Sequence, residues 1–222
     1  MILALSNPEV KRLPADVPRS HYGNFPAPQN FGNLDADFSA SAYNEPFNSK
    51  TSVVWSLPVG RGRKVGSTMS PALDALVGGW QLATINSFNA GEPVTFTYTP
   101  TTPFIVSGIQ QDFRGANNYR PNVTCDPYAT NKAITGWFNP SCVSIPTDPS
   151  QPFGNAARNS VRGPLVWTLD VQATKRVAMP WPQGRLELRI EAFNVLNRTN
   201  FRAPNGNRSS NAFGTITSTY DP

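Results

Sequence analysis

Histidine occurs once in this chain, at His21, and cysteine twice, at Cys125 and Cys142. A single His cannot supply the base and orienting partners of a nucleophilic triad, nor a cluster of metal ligands. Two cysteines without a Cys-x-x-Cys spacing cannot assemble a zinc site in the usual way. His21 stands in a proline-bounded loop and is read as a solvated residue. Charge is sparse at 15% of residues, and no stretch approaches the roughly 18 consecutive apolar residues of a membrane-spanning helix, so a helical membrane protein is excluded. Uninterrupted helix is also missing, because Pro 22 and Gly 16 amount to about one residue in six. Coiled-coil heptads, a Gly at every third position and a disulfide-dense composition are all absent. The 222 residues fit one domain, or one domain with a tail.

The net charge of +5 is carried by arginine, but the arginines are scattered and the densest run is only Arg61-Gly62-Arg63-Lys64, so no nucleic-acid partner is expected. Gly60-Arg61-Gly62-Arg63-Lys64-Val65-Gly66 misses the dinucleotide fingerprint by one residue and lacks Gly-Lys-Ser/Thr; it reads as a basic turn. Glu187 and Glu191 lie about 13 Å apart along a strand, beyond the roughly 5 to 9.5 Å of glycosidase carboxylate pairs. No catalytic, cofactor-binding or metal-binding residue is therefore placed, and the chain is read as not an enzyme. Asn122, Asn197 and Asn207 match the glycosylation acceptor pattern, which in an Asn-rich chain carries little weight. Cys125 and Cys142 sit in a Pro/Asn/Thr-rich stretch. In an oxidising compartment they would pair, a closure worth about 3 kcal/mol in the entropic picture; two unpaired thiols are the alternative.

The strongest periodicity is Arg185-Leu186-Glu187-Leu188-Arg189-Ile190-Glu191-Ala192. On a strand, Leu186, Leu188 and Ile190 share one face and Arg185, Glu187, Arg189 and Glu191 the other. Leu165 to Thr174 alternates in the same way, and the two runs are joined by Ala178-Met179-Pro180-Trp181-Pro182-Gln183-Gly184, a turn by composition. They predict an antiparallel hairpin. Further strands are expected near 51–57, 80–98 (bent at Gly91-Glu92-Pro93) and 213–219, beside the pair near 165–176 and 185–197. Residues 99–164 read as one long loop and 1–48 as a loop-like N-terminal segment. The first residues lack the features of a secretory signal, and both ends look cut.

The fold class is all-β, antiparallel, with long loops. A medium and a short turn on one side, a very long loop on the other, and Trp55, Trp80, Trp167 and Trp181 near strand ends suit a segment of an outer-membrane barrel. A soluble β-sandwich, with the apolar face as core, is the alternative.

Several motifs then carry a resemblance: Leu57-Pro58-Val59-Gly60-Arg61-Gly62-Arg63, Gly78-Gly79-Trp80-Gln81-Leu82, Gly91-Glu92-Pro93-Val94-Thr95, Arg120-Pro121-Asn122, Trp137-Phe138-Asn139, Phe153-Gly154-Asn155-Ala156-Ala157-Arg158-Asn159, Arg162-Gly163-Pro164 and Glu191 through Phe201. In this order, over about 160 residues, the chain resembles the C-terminal part of an Oar-like TonB-dependent outer-membrane receptor of the type with a carboxypeptidase-regulatory-like N-terminal domain. The resemblance implies a partial, unclosed barrel over 49–222, with Leu186, Leu188 and Ile190 facing lipid and Arg185, Glu187, Arg189 and Glu191 facing the lumen. It places the loop with Cys125 and Cys142 outside the cell, where a disulfide is plausible, and 60–79 and 178–184 on the periplasmic side. Implied partners are outer-membrane lipid, the plug and remaining strands of the receptor, and TonB through the part N-terminal to this chain. The implied location is the outer membrane, and the implied role is uptake of a scarce glycan, peptide or metal chelate. A secreted β-sandwich binding module, using Trp137 and Tyr119 as exposed platforms for a glycan, is the competing expectation.

Overall fold

The computed structural model describes residues 2–6, 29–30, 33–106, 108–111, 119–178 and 184–220. His21 and the centre of the expected hairpin turn, 179–183 with Trp181, lie outside them. In chain order the elements are β1 (Ile2–Ser6), β2 (Asn48–Ser56), α1 (Pro71–Val77), β3 (Trp80–Asn89), β4 (Pro93–Val94), β5 (Phe104–Val106), β6 (Ile109–Gln111), β7 (Asn122–Val123), β8 (Tyr128–Ala133), β9 (Gly136–Phe138), β10 (Val143–Ser144), β11 (Val161–Arg162), β12 (Val166–Ala178) and β13 (Arg185–Ala192).

One five-stranded sheet, in the order β1-β2-β3-β12-β13, holds the long strands, and every neighbouring pair is antiparallel. The hairpin of β12 and β13 runs in register from Val171↔Ala192 to Ala178↔Arg185. Among the described residues the sheet does not close into a barrel, and no second sheet is stacked on it as a sandwich needs.

Several expectations change. Ile2–Ser6, inside the stretch read as loop-like, pairs along β2 from Ile2↔Ser52 to Ser6↔Asn48. The strand expected over 80–98 leaves the sheet after Asn89, and Pro93–Val94 pairs instead with Val161–Arg162. The strand expected over 213–219 is a set of turns, with a single bridge between Phe201 and Thr219. Asn and Ser side chains just before it bond backbone amides two residues on, as in Asn205 to Asn207, Asn207 to Ser209 and Ser210 to Ala212, which favours turns over a ladder. Likewise β13 stops at Ala192, because Asn194 and Asn197 adopt left-handed φ of 45° and 47°.

The hydrophobic core does not lie against the sheet. It lies in residues 93–164 together with the stretch after Asn200, where Val94, Phe96, Phe138, Val143, Ala156 and Val161 form one buried cluster with Phe213 and Ala203 against it. Tyr98, Phe104 and Tyr119 form a second. The stretch read as one long loop is thus a packed unit with its own core. Its strands are two to six residues long and carry no readable alternation.

Candidate functional site

The ladder register carries the side-chain alternation from strand to strand. Trp55 pairs with Leu82, Leu82 with Ala173, and Ala173 with Ile190. Val53, Thr84, Val171 and Ala192 form the next row on this face, and Trp80, Lys175 and Leu188 the row on the other side of it. Leu186, Leu188 and Ile190 therefore belong to one continuous apolar face, on which Val53, Trp55, Leu186, Leu188 and Ile190 are exposed. Arg185, Glu187, Arg189 and Glu191 belong to the opposite, mainly polar face with Lys50, Ser52, Gln81, Ser87, Thr168, Asp170, Gln172, Thr174 and Arg176, where Val54 and Ile85 are the exposed apolar exceptions.

Aromatic rings bracket the apolar face. Trp55 and Trp80 stand at the end nearer the 58–79 turn. At the other end Phe88 packs on Phe47 at 5.9 Å and on Trp167 at 5.8 Å between ring centroids. The Trp167 indole donates to Asn86 Oδ1 at 2.7 Å, which satisfies a polar side chain on this face. Trp80 and Phe88 are eight positions apart on β3, about 27 Å at a rise of about 3.4 Å per residue. At the tilt of about 35 to 45° found in outer-membrane barrels, that spans about 21 Å of membrane normal, close to the apolar band of about 25 Å between their aromatic girdles.

Lys175 is the one charged side chain on the apolar face among the described residues. It is buried, donates to the carbonyls of Leu76 and Gly78 at the end of α1, and lies 5.2 Å from the Trp80 ring. Helix C-terminal carbonyls favour a cation, so the charge is satisfied there without crossing to the polar face. Sequence reading missed it; the signal was a lysine on the apolar parity of Leu165, Trp167, Leu169, Val171 and Ala173.

On the polar face Arg176 meets Glu187 at 2.9 Å, and Arg189 meets Glu187 at 3.3 Å and Glu191 at 3.7 Å. Such exposed pairs order a surface more than they stabilise it. At the end near the turn, Ser56, Gln81, Thr174 and Arg176 line a cavity of 270 Å³ that Arg63 of the turn borders.

At the opposite end stands the packed loop unit. Arg120, fully buried, donates through Nε to the Ala156 carbonyl at 2.7 Å, through one terminal nitrogen to the Ala36 carbonyl at 3.0 Å, and through the other to the Asp37 carboxylate. Arg162 binds the Asn44 and Gly91 carbonyls at 2.9 and 3.1 Å. These arginines tie residues 36–44 to the unit. Asn155 closes a reciprocal set with Val123 and Asn122, and a Cβ on Gly154 would meet the Pro121 carbonyl carbon at 2.2 Å. The motifs that carried the resemblance here are backbone clamps.

Cys125 and Cys142 are joined in a disulfide, with Cα atoms 5.1 Å apart. Tyr119 is buried at 6% exposure, and Trp137 is half-buried with its indole N–H on the Arg162 carbonyl at 2.9 Å. Neither offers the open aromatic platform that the glycan-module expectation requires, because both are spent on the core. Burial and the nearby Tyr119 push the Tyr98 hydroxyl up to about 12, and it donates to the Pro152 carbonyl. Among the described residues no group of three or more His, Cys, Asp or Glu could hold a metal ion, and no helix is long and apolar enough to cross a membrane.

No curated protein and no solved structure matches the chain. A family model described as an outer membrane beta barrel domain matches residues 15–222. With nearly the whole length matched, and with an antiparallel sheet whose two faces differ in polarity, the chain belongs to the outer-membrane β-barrel domain family.

Proposed function

We propose that this chain is wall and outer-loop portion of a TonB-dependent receptor, a non-enzymatic importer of a scarce nutrient such as a glycan, peptide or metal chelate. In this reading the apolar face with Leu186, Leu188 and Ile190 meets lipid. Arg185, Glu187, Arg189 and Glu191 line the lumen, and the packed loop unit with the Cys125–Cys142 disulfide stands outside the cell to meet the ligand. A plug and the remaining strands complete the receptor, and TonB acts through that plug.

The observation that carries the reading is the location of the core. A soluble sheet buries one face, whereas here, among the described residues, both faces of the sheet are open and the core sits in the loops. Lipid on one side and an aqueous lumen on the other account for both. The order of motifs resembling Oar-like receptors supports the narrower assignment to TonB-dependent import.

Deleting the gene and deleting TonB in the same host tests that assignment. Both strains are compared for growth on limiting glycans, peptides and metal chelates. A shared growth defect on one nutrient, with none added in the double deletion, is the expected result. A defect seen in the TonB strain alone across the whole panel would remove the import reading, while leaving the barrel in place.

A further inference from the structure

Helix α1, in the 58–79 turn, is short and carries its hydrophobic residues outward. Ser70 caps it by accepting from the Leu73 amide at 3.3 Å, with Pro71 at the first helical position. Leu73, Leu76 and Val77 are spaced i, i+3 and i+4, which puts them on one side. They are 47%, 71% and 40% exposed. Asp74 points to the turn instead, where its Oδ1 accepts from the Arg61 amide at 2.8 Å and holds the helix to Gly60 and Arg61.

The helix end also lies over the apolar face of the sheet. Trp80 donates its indole N–H to the Leu76 carbonyl at 3.1 Å, and the Lys175 ammonium reaches the same carbonyl at 3.1 Å. The outward leucines thus continue the apolar face beyond its Trp55 and Trp80 rows. The turn carries three cations, Arg61, Arg63 and Lys64, all exposed, against the single carboxylate of Asp74.

We propose that α1 is an interfacial anchor, which lies in the headgroup and acyl boundary of the periplasmic leaflet with Leu73, Leu76 and Val77 in the lipid and the Arg61 to Lys64 run at anionic headgroups. An amphipathic helix with apolar residues on one side and cations beside it suits such a boundary. A tryptophan and a lysine whose charge is already satisfied are side chains that belong at that depth. The inference rests on the barrel reading, and it fixes which leaflet the short turn touches.

The test uses the complete receptor with single cysteines at Leu76→Cys, Leu188→Cys or Thr68→Cys, since Cys125 and Cys142 are already paired. Each variant is spin-labelled in phosphatidylethanolamine and phosphatidylglycerol vesicles, and its relaxation by oxygen is compared with that by a water-soluble nickel chelate. Expected is oxygen-dominated relaxation at 76 and 188 and nickel-dominated relaxation at 68. If the label at 76 is relaxed by nickel, or by neither agent, while 188 is still lipid-exposed, the anchor is overturned and the barrel reading stands. If 188 is nickel-dominated too, both fall together.

Discussion

Single side chains do most of the work of holding the loop unit together. The Arg120 side chain donates three hydrogen bonds, to Ala36, Asp37 and Ala156, while its backbone amide donates to Gln29. Removing it leaves the buried Asp37 carboxylate without its hydrogen-bonded cation. Arg120→Ala is expected to cost about 3 to 5 kcal/mol and to open new cleavage sites in 36–44 when intact cells are treated with a protease. Arg120→Lys would not rescue it, because an ammonium cannot match the planar fork that spans three acceptors. Tyr98 makes a pH prediction. Its hydroxyl titrates near 10 when unfolded and near 12 when folded, so the unfolded chain holds fewer protons between those values. The stabilisation is fully present below pH 10 and is lost as the pH rises towards 12, on the order of 2 kcal/mol. Near-ultraviolet absorbance of tyrosinate against unfolding should show the wild type losing stability in that window and Tyr98→Phe losing less.

For whole elements, the alternation of a strand decides what a substitution meets. Val171 lies on the apolar face in the row midway between Trp80 and Phe88, while Gln172 beside it lies on the polar face. With the apolar face in lipid, as proposed, Val171→Arg is expected to cost about 2 to 4 kcal/mol, the range for a cation near the midplane. The heat-modifiable folded band on a cold gel should weaken or vanish. Gln172→Arg should leave that band unchanged, and equal loss in both variants would remove the assignment of faces. These faces were legible in the sequence because β13 alternates strictly and β12 nearly so, Lys175 being the charged exception that α1 takes up. The helix α1 was signalled only by Ser70-Pro71 and Gly78, too short a run for an apolar period. The break after Asn89 was legible only as a bend at Gly91-Glu92-Pro93; that the chain then leaves the sheet was not. It depends on Val94 finding Val161, a partner 67 residues away whose strand is two residues long. The partners of Arg120 and Lys175 were unreadable for a related reason: they are acceptors brought from elsewhere in the chain.

For the molecule as a whole, two kinds of cohesion stand side by side. The sheet is held by ladders and, in the proposed setting, by its surroundings, whereas the loop unit is held by buried aromatics, arginine clamps and a disulfide that closes a separation of 17 residues. Replacing both cysteines by serine, at Cys125 and Cys142, should cost the loop unit about 3 kcal/mol. The gel band of the barrel should persist while the loops become sensitive to protease. Loss of the barrel band in that variant would mean that the two parts do not hold independently. Because the loop unit owes its shape to its own interior, that shape does not depend on the surrounding bilayer. In the proposed orientation, antibodies raised against folded epitopes of the unit should therefore bind the detergent-solubilised protein as well as the intact cell surface, and fail only once the aromatic core is melted.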